Sequence, residues 1–136
     1  MSDLRPSLGA PLGGRSAGVT RREAVAVFEP LPRAVRSARR FVGALIPDAS
    51  QRETAELLVS ELASNAIRYA PGRFEVRVQL TPMIRIEVRD ASERMPSMMT
   101  PRTDVERGRG LRIVNELATS WGVEPELGGK VVWFSL

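Results

Sequence analysis

The sequence predicts a two-layer α/β sandwich, a mostly antiparallel sheet with helices on one face. Two adjacent segments, 74–80 and 83–90, alternate apolar and charged residues; a long helical segment stops at Pro71-Gly72; and Gly128-Gly129 separates two further strand-like runs. Successive strand residues point to opposite sides, so Phe74, Val76, Val78 and Leu80 share one face, as do Ile84, Ile86 and Val88. Glu75, Arg77, Gln79, Arg85, Glu87 and Arg89 face the other way. One sheet face is therefore expected to be buried under helices, with the charged face open to water.

The elements follow in order. Residues 1–19 repeat Gly, Pro and Ser without periodicity, so a disordered tail is expected there and one folded domain over residues 20–136. Valines and Phe28 predict a first strand over 22–29; Pro30 and Pro32 close it and open a helix that runs to about Ile46, before Pro47. A second helix is expected from 48–51 to Ala70. The two alternating strands come next, joined by a turn at Thr81-Pro82. Residues 91–107 hold Pro96, Pro101 and three methionines without periodicity. Compact domains seldom keep so long a loop without a functional reason, and it is read as a candidate lid. Gly108-Arg109-Gly110 leads into an amphipathic helix over 111–120, a short strand near 123–127, the Gly128-Gly129 turn and a last strand over 130–136.

With 136 residues, 43% hydrophobic and 26% charged, the chain has room for a single core. No apolar run approaches the ~20 residues that cross a bilayer. The start lacks a charged segment followed by a continuous apolar one, so no secretory signal is expected and the reading is cytoplasmic. The absence of cysteine and histidine excludes thiol chemistry, Ser-His-Asp hydrolysis, histidine metal sites and a phosphohistidine on this chain. The net charge of +4 would suit nucleic acid, but arginines spread from Arg5 to Arg112 beside nearly as many acids, and Lys130 is the only lysine. Direct contact with nucleic acid or membrane is not expected.

The second helix carries the main chemical signal. At about 100° per residue, Leu58, Leu62 and Tyr69 define an apolar stripe, Asn65 falls inside it and Glu61 lies on its edge. An inward amide needs partners or ligands, and a carboxylate one turn before it needs a cation or protonatable group. An asparagine carbonyl is a hard oxygen suited to Mg²⁺, and Glu61 would orient or deprotonate an attacking hydroxyl. The alternative is a core asparagine satisfied by backbone and a surface Glu61 paired with Arg68. Asp90 shares the inward phase of Ile86 and Val88, and a carboxylate at a pocket floor can accept a hydrogen bond from an exocyclic amine such as that of adenine. Its alternative is a turn-forming aspartate that caps the following loop. Gly108-Arg109-Gly110 before a helix would offer free N–H groups to phosphate. A dinucleotide fingerprint and a P-loop are both absent, since Val131 follows Gly128-Gly129-Lys130.

Taken in order, Glu61-Leu62-Ala63-Ser64-Asn65-Ala66, Asp90-Ala91-Ser92 and Gly108-Arg109-Gly110-Leu111 resemble the three boxes of the histidine-kinase-like ATPase superfamily, the Bergerat fold. Trp121-Gly122-Val123 and Gly129-Lys130-Val131-Val132-Trp133-Phe134 resemble its small stand-alone branch, the anti-sigma-factor serine kinases and their actinobacterial relatives, over roughly residues 22–136. The resemblance implies a Bergerat-type domain with ATP and Mg²⁺ as cofactors. It implies that Asn65 holds Mg²⁺ and the phosphates, Glu61 is the general base and Asp90 contacts the adenine amino group. Gly108 and Gly110 would hinge a lid over the triphosphate, with Arg109 and Leu111 in the same nucleotide-binding box. The implied reaction moves the γ-phosphate of ATP to a serine or threonine of an anti-sigma antagonist, by positioning and metal electrostatics. Implied partners are that antagonist, a sigma factor and a second copy of the chain. Ala91, Ser92, Glu93 and Arg94 stand where the superfamily normally has glycines, so a non-catalytic ATP- or partner-binding module of the same fold stays open beside the kinase. No phosphoacceptor segment or histidine is present, which removes the sensor-kinase reading.

Overall fold

The computed structural model describes residues 22–92 and 113–136. The expected tail over 1–19 and all but the first two residues of the candidate lid over 91–107 lie outside the described residues. The elements run β1 (Glu23–Phe28), α1 (Arg33–Leu45), α2 (Ala49–Tyr69), β2 (Phe74–Gln79), β3 (Arg85–Asp90), β4 (Ser120–Glu126) and β5 (Gly129–Ser135). The strands form one five-stranded sheet in the order β1-β2-β3-β5-β4, and every neighbouring pair is antiparallel. This is the predicted α+β sandwich.

Local chemistry sets the element ends. Asp48 caps α2 by accepting from the Gln51 backbone N–H at 2.9 Å, satisfying one of the free donors of the first turn. After Ala70 the chain turns at Gly72, whose φ of +80° disfavours any residue with a Cβ, and enters β2. The β2 and β3 apolar faces are buried as the alternation requires, with Val76, Val78 and Ile86 fully enclosed. α2 packs on this face against β2 and β3, and α1 covers α2 and β1. Leu58, Val59 and Leu62 of α2, Val42 of α1 and Phe134 of β5 complete the core.

Two expectations are corrected. The helix after the glycine pair does not reach Ser120: residues 113–117 are helical, and Ser120 already opens β4. The strand thus begins three residues before the expected position, because pairing with β5 outweighs helical periodicity. Thr119 N–H donates to Ser135 O at 2.8 Å, the Ser120 and Ser135 hydroxyls meet at 2.7 Å, and Trp121 Nε1 donates to Asn115 Oδ1 at 2.9 Å. Second, the charged sheet face is not simply open to water. On that face Val131 and Ser135 of β5 are buried, and Arg85 lies 4.0 Å over the Trp133 ring. β5 has strands on both sides, so the ion-paired side chains of its neighbours close over it.

Candidate functional site

The strand register places Asp90 at the end of the sheet near which α2 stops. Asp90 closes β3 directly opposite Lys130 near the start of β5, and Arg89 stands opposite Glu75 at the start of β2. α2 ends at Tyr69, and only residues 70–73 separate it from Phe74, so the last turns of α2 belong to the same end. At a rise of 1.5 Å per residue, Asn65 lies about 6 Å back along the axis from Tyr69, with Glu61 one turn further.

Glu61 and Asn65 are both half-buried and flank the enclosed stripe of Leu58, Leu62 and Ala66. Asn65 therefore sits at the margin of the stripe rather than inside it. Among the described residues neither side chain makes a hydrogen bond or ion pair, so the alternative pairing of Glu61 with Arg68 is not formed. Among the described residues, these two half-buried polar side chains, one turn apart, are therefore without a protein partner. The donor set fits Mg²⁺, which binds through one or two protein oxygens and completes its shell with water and phosphate. The described residues contain no cluster of three His, Cys, Asp or Glu side chains, so an all-protein cage is not built there.

Asp90 is almost fully enclosed, with its side chain 4% exposed. Oδ1 accepts from the Ser92 backbone N–H at 2.8 Å and from Lys130 Nζ at 2.9 Å, and Oδ2 accepts from Lys130 Nζ at 3.1 Å. The Ser92 bond is the loop-capping turn that sequence reasoning held as the alternative for Asp90. Lys130 was missed. Its signal was parity, because it shares the inward phase of Val132 and Phe134, but only the β3–β5 register puts it against Asp90. Gly129 permits that approach: a Cβ there would overlap the backbone oxygen of Asp90.

On the opposite face the neighbouring residue makes a different pair. Arg89 grips Glu126 with a two-pronged fork, Nε to Oε1 at 2.9 Å and Nη2 to Oε2 at 2.8 Å, and Nη1 reaches Glu75 at 2.9 Å. The hydrogen bond that Arg89 donates to Glu126 raises the guanidinium above its ordinary value despite the opposing effect of burial. The same bond lowers the Glu126 carboxyl. A cleft of about 300 Å³ opens beside these groups and is lined by Val27, Arg89, Asp90 and Gly129 among others. Glu61 and Asn65 do not line it, so this cleft is separate from the polar pair of α2.

Gly108, Arg109, Gly110 and Leu111 lie outside the described residues. No helix among the described residues is long and apolar enough to cross a membrane. The family model of the histidine kinase-like ATPase domain matches residues 28–136, well over half of the chain and every described element from α1 onward.

Proposed function

We propose that this chain, which belongs to the histidine kinase-like ATPase domain family, is a cytoplasmic regulatory protein kinase that uses ATP and Mg²⁺. Its coarse activity is that of an ATP-binding domain. The observation supporting the finer reading is the half-buried Glu61 and Asn65, one turn apart on α2 and without protein partners among the described residues. Asn65 would hold Mg²⁺ and through it the phosphates; Glu61 would take the proton of an attacking serine or threonine hydroxyl. Asp90 would receive the adenine amine, and Gly108, Arg109, Gly110 and Leu111 would contribute backbone to the phosphates. Phosphoryl transfer asks the protein mainly for positioning and charge neutralisation, which this short set of groups supplies once Mg²⁺ is bound. The acceptor in this reading is an anti-sigma antagonist, with a sigma factor as the sequestered partner and a second copy of the chain as a further one.

A specific observation favours a second reading, a non-catalytic ATP- or partner-binding module. The backbone after Asp90 is committed to a side-chain-capped turn at Ser92 rather than left to free glycines.

Calorimetric titration with ATP, with and without Mg²⁺, tests the site. Saturable binding that depends on Mg²⁺ and falls at least about 100-fold in Asn65→Ala is expected, the loss of a charge-assisted contact worth about 3 kcal/mol. Unchanged affinity in the variant would remove Asn65 from the site. Glu61→Gln separates the two readings: a kinase keeps ATP binding and loses transfer to a serine-bearing antagonist, whereas a binding module shows no transfer in either form.

A further inference from the structure

Lys130 is a buried charge that the reading above leaves without a task. Burying an ion pair is costly, and an apolar pair of similar volume would usually serve stability as well or better. The pair's hydrogen-bond inventory shows what it achieves. A carboxylate offers about four acceptor sites, two on each oxygen. Both sites on Oδ1 are filled, one by Ser92 N–H and one by Lys130 Nζ, while among the described residues Oδ2 receives only Lys130 Nζ. The described residues leave one acceptor site, on Oδ2. The ammonium lies within 2.9 and 3.1 Å of the two oxygens, so it both fixes the plane of the carboxylate and supplies a counter-charge in an enclosed position.

We infer that Lys130 is a specificity-determining positioning residue, which holds Asp90 so that it accepts one hydrogen bond from an exocyclic amine and rejects a base carrying a carbonyl there. The inference rests on the reading of Asp90 as the adenine contact. A 6-amino purine donates to the open site on Oδ2, whereas the 6-oxo group of hypoxanthine or guanine brings an oxygen lone pair against it. A buried polar group left unpaired, or faced by a like partner, discriminates far more strongly than a missing apolar contact. Gly129 belongs to the same device, since its missing Cβ lets β5 carry Lys130 up to the end of β3.

The test is the ratio of dissociation constants for ITP and ATP, both with Mg²⁺, in the wild-type chain, Lys130→Met and Lys130→Gln. Thermal unfolding establishes that each variant is folded. The wild type is expected to prefer ATP by at least about 30-fold, which corresponds to the ~2 kcal/mol of a hydrogen bond to a charged group. In Lys130→Met the ratio falls at least tenfold, chiefly because ATP weakens. Lys130→Gln, which keeps a neutral amide donor beside Asp90, is intermediate and carries the test if the methionine variant does not fold. A folded variant of either kind with an unchanged ratio would overturn the inference and leave Lys130 as a structural clamp. Equal binding of ITP and ATP by the wild type would overturn it as well. No saturable binding of either nucleotide by the wild type would instead sink the nucleotide-site reading on which it rests.

Discussion

Arg89 and Asp90 are consecutive residues of one strand, and each makes an ion pair with a group near the β4–β5 hairpin. Strand alternation sends them to opposite faces and into different physics. Arg89 and Glu126 stay about one-third exposed, with Glu75 close by to share the guanidinium. Asp90 and Lys130 are nearly excluded from water, at 4% and 9% side-chain exposure, and among the described residues have only each other and one backbone N–H. Exposed pairs are screened and contribute little, whereas a buried pair carries a large desolvation cost that good geometry must offset. Similar pair distances therefore say little about environment: the outer pair dresses a sheet surface, and the inner one fixes an enclosed carboxylate.

The contrast is sharpest when one partner is removed. Lys130→Met leaves an enclosed carboxylate without its counter-charge, and a loss of about 3–5 kcal/mol in denaturant unfolding is expected. Adding Asp90→Leu to that variant removes the stranded charge and should recover most of the loss, short of the capping bond to Ser92. If Lys130→Met cost no more than an exposed-pair variant, the two pairs would be equivalent and the distinction between them would fail.

Gly129→Ala probes the same pair without touching a charge. The added methyl would collide with the Asp90 backbone oxygen, and backbone cannot yield as a flexible side chain does. A cost of about 1–3 kcal/mol is expected from overpacking. The displaced Lys130 should also lower the ATP preference in the nucleotide titrations. Gly128, whose φ is +82° and whose surroundings are open, should lose stability on substitution through backbone strain alone and leave that preference unaltered.

Much of this layout was legible in the sequence because it depends on short-range periodicity. The alternation in β2 and β3, the helix start at 48–51 and the Pro71-Gly72 stop are local signals, and each of these elements formed within a few residues of its expected bounds. The order of the sheet was not legible: placing β5 between β3 and β4 is a long-range choice, and the Asp90–Lys130 pair and the burial of Val131 both follow from it. Ser120 was misread for a related reason, since the amphipathic pattern before it continues into a segment that the β5 ladder claims. Asn65 and Glu61 were singled out as candidates because polar groups beside an apolar stripe stand out on a helical projection. Lys130 did not stand out, because a lone lysine at a strand start reads as surface until its partner strand is known.

The smallest effect belongs to the outer pair, and its pH dependence identifies it. In the folded chain the Arg89 fork lowers the Glu126 carboxyl below its ordinary value of 4.5, ahead of the opposing effect of partial burial. A carboxyl lowered on folding contributes stability that is fully present above its unfolded value and is lost as pH falls through its folded value. Glu126→Gln should therefore be less stable than the wild type near pH 7, by about 0.5–1 kcal/mol given that both partners are partly solvated. The two unfolding curves should converge as the pH falls below about 4.5 and the wild-type carboxylate takes up its proton. Added salt at pH 7 should narrow the same gap, because the fork faces solvent. A gap that persisted undiminished through acid would mean that Glu126 contributes by packing against the sheet, and Arg89 and Asp90 would then differ in their partners' shape rather than in their access to water.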